Sequence, residues 1–208
     1  MHCYRCHPAL NSGRLGPLKG GTQLHLHQSD IDGACGPHCV LMGLLLLGGI
    51  QRKDLLRLPK PRSRSLASLW RRTENTYFIG TTTRDLKAIL HPFRDVIETH
   101  VCRKDHMERT LDTLRQSGLA IINIESATMN HWVLAIGIVG VENRAGFQVS
   151  RLLILDPSHG PIPLAAWNAT LSVRPDRQDR HSYETPEGRQ LVSVGAVLTL
   201  RQHDRTGQ

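Results

Sequence analysis

Aromatic residues make up only 4% of this 208-residue sequence, so no aromatic-lined binding groove can be read from it. Long apolar runs are missing too. The stretch Val40 to Leu47 is broken by Gly43 and ends at Gly48-Gly49, far short of the roughly 20 residues of a membrane span; it reads as a buried core helix, and no transmembrane segment is expected. No basic stretch followed by an apolar segment marks a signal peptide. Five cysteines, an odd number, show no disulfide spacing. These absences lead to the expectation of a cytoplasmic protein, with signal-independent secretion as an effector the other route. One domain of this length buries a core without disulfide or metal staples.

Acidic side chains are outnumbered, 18 against 26 basic ones, for a formal charge of +8. Such an excess attracts acidic proteins, nucleic acid or anionic membranes. The densest basic stretch, Arg57 to Arg72, contains Pro59 and Pro61 and reads as a loop and short helix with a solvated face rather than a nucleic-acid surface. The partner this charge suggests is therefore an acidic protein.

Residues 1–22 hold four glycines and Pro8 and Pro17 without a sustained period, which reads as an irregular arm. A domain follows over 23–202, with a tail at 203–208. Helices are expected at Cys35 to Leu47, Lys53 to Leu58, Ser65 to Thr73, Thr83 to Leu90 and Asp105 to Gln116. Strands are expected at Val96 to Val101, Leu119 to Glu125, His131 to Val141, Arg151 to Asp156 and Leu191 to Leu200. Ile162 to Leu171 reads as a short helix and Arg174 to Arg189 as a mobile surface loop. Helices first and an antiparallel sheet afterwards is the α+β pattern.

Cys35 stands where a loop turns into the apolar helix. Unpaired N–H groups and the positive end of the helix dipole favour the thiolate there. A cysteine nucleophile needs a base within reach, and that base needs a third group to orient it. His131 opens the strand HWVLAIG and Asp156 ends the strand RLLILDP; as antiparallel neighbours these strands bring the two together. Gln28 is the candidate side-chain donor to an oxyanion, beside the backbone N–H of Cys35.

The blocks QSD (28–30), ACGPHCVLM, NHWVLAIG and ILDPSHG resemble the papain-like bacterial peptidases related to the double-glycine, bacteriocin-processing family. The resemblance runs from about Gln28 to Pro163, with every block in order. It implies a papain-like α+β fold, with a helical half whose nucleophile helix packs on a C-terminal antiparallel sheet. It further implies Cys35 as nucleophile, His131 as general base and acid, Asp156 as orienting residue and Gln28 as oxyanion donor. The sequence departs from that family at His38 and Cys39, where small residues are usual.

The function expected is a thiol protease: a cysteine-dependent amide hydrolase cleaving a protein or peptide through a thioester. A deamidase or transglutaminase-type effector uses the same acyl-enzyme with another acceptor. A catalytically silent binding module using the basic surface is the reading from another class. Cys39, one turn after Cys35, is either plain core or a resolving thiol. Cys3-Tyr-Arg-Cys6-His7 matches a haem-attachment pattern without an export signal, and Cys3 and Cys6 with His25 and His27 supply four zinc ligands, although one residue between the histidines is tight for the usual zinc finger; the expectation is no cofactor and no metal. Gly20-Gly21 matches the cleavage site of the resembled family, but Gly16 and Pro17 would break the helix of a leader.

Overall fold

The structure is a computed structural model describing residues 1–29, 32–144 and 146–203. Asp30 of the QSD block and residues 204–208 of the expected tail lie outside the described residues. The longest helix, α1 (Cys35–Leu47), is buried along its whole length, as befits a helix apolar on every side. It stops at Gly48, which takes a left-handed conformation (φ 79°) and returns its N–H to the carbonyls of Leu44 and Leu45. Three further helices follow, α2 (Arg52–Leu55), α3 (Arg64–Thr73) and α4 (Thr83–Leu90). The last is fixed by a capping box in which Thr82 and Asp85 satisfy each other's backbone N–H groups. Helix α5 (His106–Arg115) lies between the strands.

The strands are β1 (His2–Cys6), β2 (Asn11–Gly13), β3 (Gly16–Lys19), β4 (Thr22–Gln23), β5 (Ile97–Cys102), β6 (Leu119–Glu125), β7 (Asn130–Asn143), β8 (Gly146–Leu155), β9 (Ala169–Ser172), β10 (His181–Thr185) and β11 (Gly188–Gln202). The sheet runs β7-β6-β11-β10-β9-β8 and returns to β7 through a β7–β8 ladder, every pairing antiparallel. It is thus a closed six-stranded barrel, which leaves the ring itself without an edge. Strand β1 pairs with β7 beyond the end of β6, and β5 pairs with β11 beyond the end of β10. Register shifts between Ala135 and Gly137 and between Val194 and Val197 bend the two long strands, as closure requires.

Alternation along the strands separates two cores. Ile122, Val133, Ile154, Leu171, Tyr183 and Val197 belong to one apolar cluster to which all six barrel strands contribute, which identifies it as the barrel interior. Their neighbours Ile121, Leu134, Leu155 and Leu198 join the other cluster, which includes the α1 residues Val40, Leu44 and Leu47. Each fully buried leucine contributes about 1.5–3 kcal/mol, so α1 is anchored chiefly by what it hides on the outer wall.

The α+β expectation, a helical half packed on a papain-like sheet, is therefore corrected. The chain is mostly β, with 27% helix and a closed barrel. Two strands account for the difference. β9 stands where the end of a short helix was expected and β10 where a mobile loop was expected; together they close the ring. Both are short, and their sequences ATLS and HSYET carry no run of alternating apolar residues. Their stability comes from pairing with neighbours, and they point only a few side chains, notably Leu171 and Tyr183, into the interior.

The first 22 residues are also more ordered than their composition suggests. β1 pairs with β7 from His2↔Val141 to Cys6↔Gly137, and β2, β3 and β4 form a small sheet of their own. Gly20 and Gly21, both at positive φ (54° and 77°), make the two-residue turn between Lys19 and Thr22, the backbone conformation a tight hairpin demands. The double glycine thus has a structural role.

Candidate active site

Cys35 is the first residue of α1 and is 7% exposed. Among the described residues no side chain caps that helix end, so its leading N–H groups remain available. Gly36 permits the approach of the 77–82 segment, because a Cβ there would overlap Thr81 Oγ1 and press on Leu86. Trp132 ties the other side. Its indole N–H donates to Thr81 O at 2.9 Å and its carbonyl accepts from Cys39 Sγ at 3.3 Å.

The antiparallel ladder of β7 and β8 pairs Leu134 with Leu155, so the residues just before one and just after the other meet at one end of the barrel. His131 Nε2 and Asp156 Oδ1 are 2.7 Å apart and both side chains are buried. Cys35 lines the same cleft as the ring, near enough for each to shift the other's titration; with Nε2 held by Asp156, Nδ1 is the nitrogen left for sulfur. Three of the four residues singled out in the sequence are thereby joined in one chain of contacts.

The fourth, Gln28, lines the same cleft as Cys35 and His131, an open space of about 580 Å³. Its backbone N–H donates to Pro157 O at 2.8 Å, which places it beside the turn that carries Asp156. Its Oε1 is buried and has no hydrogen-bond partner among the described residues. A buried acceptor left unpaired costs roughly 1–3 kcal/mol, and a half-turn of the amide would put the Nε2 donor in its place.

Electrostatics follow from burial and partners. Burial alone would push the Cys35 thiol up, but the hydrogen bond and charge of His131, with N–H groups of Trp132 and Gly36, hold it below its ordinary value. Burial would likewise lower His131; Asp156 and Cys35 outweigh it and push the imidazolium up to about 9. Asp156 is held below the usual carboxylate range, since His131, Tyr183 and the Ser158 N–H overcome its burial. All three directions favour a thiolate, an imidazolium and a carboxylate at neutral pH.

Several residues that complete this arrangement were not anticipated from sequence. The Tyr183 hydroxyl, inside the barrel, donates to Asp156 Oδ2. Ser158 N–H donates to Asp156 Oδ1 at 2.7 Å, and its hydroxyl lies 3.2 Å from His131 Nε2. Asn168 holds the Asp156 backbone from both sides, accepting from its N–H at 2.7 Å and donating to its carbonyl at 2.8 Å. His25 Nε2 is 2.9 Å from that same carbonyl. The pattern Thr185-Pro-Glu-Gly188 between HSYET and GRQLV was the available signal for Tyr183, as a two-residue hairpin turn.

Other sequence candidates fall elsewhere. Cys39 is fully buried, and desolvation together with the nearby charges of Cys35 and Asp156 pushes its thiol well above the ordinary value; it behaves as core. Cys3 and Cys6 are three residues apart on β1, hence on opposite faces of the strand. Among the described residues no cluster of three His, Cys, Asp or Glu side chains is placed to hold a metal, and no helix is long and apolar enough to cross a membrane. No protein-family model matches the chain, and no curated protein matches it.

Proposed function

We propose that this protein is a cysteine-dependent amide hydrolase that cleaves a peptide or protein substrate. The observation that carries the reading is the buried 2.7 Å His131–Asp156 pair reaching a cysteine at a helix start in an open cleft. The likeness of the Cys35, His131 and Asp156 segments to a peptidase family supports it at the level of residues.

In this mechanism the Cys35 thiolate attacks the amide carbon, forming a C–S bond and placing negative charge on oxygen. The backbone N–H of Cys35 and the Gln28 side-chain amide would donate to that oxyanion. As the tetrahedral intermediate collapses, the C–N bond breaks and His131 gives its proton to the leaving amine. Neutral His131 then removes a proton from water, which attacks the thioester, releasing the acid and restoring the thiolate–imidazolium pair. Asp156 keeps the ring oriented and stabilises its charged form.

The test is proteomic. The purified protein is added to a lysate and new N-termini are compared with those made by a Cys35→Ala variant. Sites that appear only with the wild type are the expected result. Conversion of target glutamines to glutamate without new termini would assign the same chemistry to deamidation, and neither product would refute the hydrolase. On a peptide so identified, kcat/KM is expected to be bell-shaped in pH. It falls in acid as the thiolate is protonated, at a pH below the ordinary thiol range because Cys35 is depressed. It falls in base near pH 9 as His131 loses its proton. A basic limb near the free imidazole value of about 6.5 would contradict the pairing.

A further inference from the structure

Beyond the cleft, a second cavity of about 470 Å³ opens where the turn after β5 and the face of α5 meet β11. Arg103 and Lys104 stand on the turn, Arg109 on the helix and Arg201 on β11. None of the four side chains has an ion pair or hydrogen bond to another described residue, although Glu98, opposite Arg201 in the β5–β11 ladder and bonded to His100 at 2.8 Å, feels the charge of Arg201. The one carboxylate among the described lining residues, Asp112, is already engaged by Arg115 at 3.3 Å. Cys102 also lines the cavity.

Four like charges converging from three elements repel one another, and an anion between them removes that repulsion. The volume is that of a small-molecule site. Guanidinium forks match phosphate oxygens two at a time. We propose that this cavity binds a small phosphate-bearing molecule carrying at least two negative charges, of the diphosphate class. Convergence on a cup, rather than alignment along an edge, favours a compact phosphate over an extended acidic peptide.

The experiment uses the full chain and three probes: inorganic pyrophosphate, ADP, and sodium sulfate at matched ionic strength. A saturable rise in melting temperature with pyrophosphate or ADP, not reproduced by sulfate, is the expected result. If ADP binds more tightly than pyrophosphate, the source is a nucleotide; if they bind alike, the diphosphate alone is recognised. The Arg109→Gln/Arg201→Gln double variant, with an unchanged far-ultraviolet spectrum, is expected to weaken binding by about tenfold or more. Bound ligand should also slow alkylation of Cys102 without slowing that of Cys3. Equal shifts with sulfate, undiminished binding in the double variant, or binding of a glutamate-rich peptide in preference to both phosphates would overturn the proposal.

Discussion

A His131→Ala variant is expected to lose turnover by about 10²- to 10⁴-fold, the usual worth of a positioned acid–base group. The argument rests on two separate losses. Without the imidazolium, burial again dominates the Cys35 thiol, and its pKa rises because the largest opposing influence is gone. The leaving amine also loses its proton donor. Asp156 keeps the Tyr183 hydroxyl and the Ser158 N–H, so its carboxylate is not stranded and the barrel should persist. Circular dichroism and melting measured beside kinetics separate the two effects. A variant that folds and keeps wild-type kcat/KM would remove His131 from the mechanism.

The largest expected effect on stability comes from Asn168→Ala. Asn168 is 1% exposed and accepts from the Asp156 N–H while donating to the carbonyls of Asp156 and His159 at 2.8 Å each. Truncation leaves a buried N–H without its acceptor and carbonyls without this donor. Each unpaired group costs roughly 1–3 kcal/mol, and His25 continues to serve the Asp156 carbonyl, so a total of about 3–5 kcal/mol is expected. At about 2–4 °C per kcal/mol for a chain of this size, the melting temperature should fall by roughly 10 °C. Calorimetry checks it; a shift under a few degrees would mean that the turn after β8 is held by other contacts. Because that turn carries Asp156, turnover should fall with stability even well below the melting point.

Cys35, His131 and Asp156 were legible in the sequence because each lies at the boundary of a strongly patterned element. All but one of the thirteen residues of α1, His38 the exception, are apolar or small, and the Ile, Val and Leu runs of β7 and β8 fix the strands whose ends meet. Local pattern sufficed to locate those residues along the chain. It did not suffice for barrel closure, since β9 and β10 hold few apolar residues and owe their form to partners distant in sequence. The same blindness concealed Tyr183 and Asn168. Both are polar residues in stretches read as a loop or a weak helix, and their importance lies in reaching Asp156 from other parts of the chain. β1 was hidden for a third reason: a strand paired with β7 beyond the end of β6 has one mostly exposed face and need not alternate strictly.

The central claim is that His131 and Asp156 make Cys35 a thiolate at neutral pH. The most direct measurement is the rate of Cys35 alkylation by iodoacetamide against pH, read by peptide mass spectrometry on the intact protein and on His131→Ala. The account predicts a wild-type midpoint below the free-thiol value of about 8.5, displaced upward in the variant. A wild-type midpoint at or above that value, unchanged when His131 is removed, would contradict it.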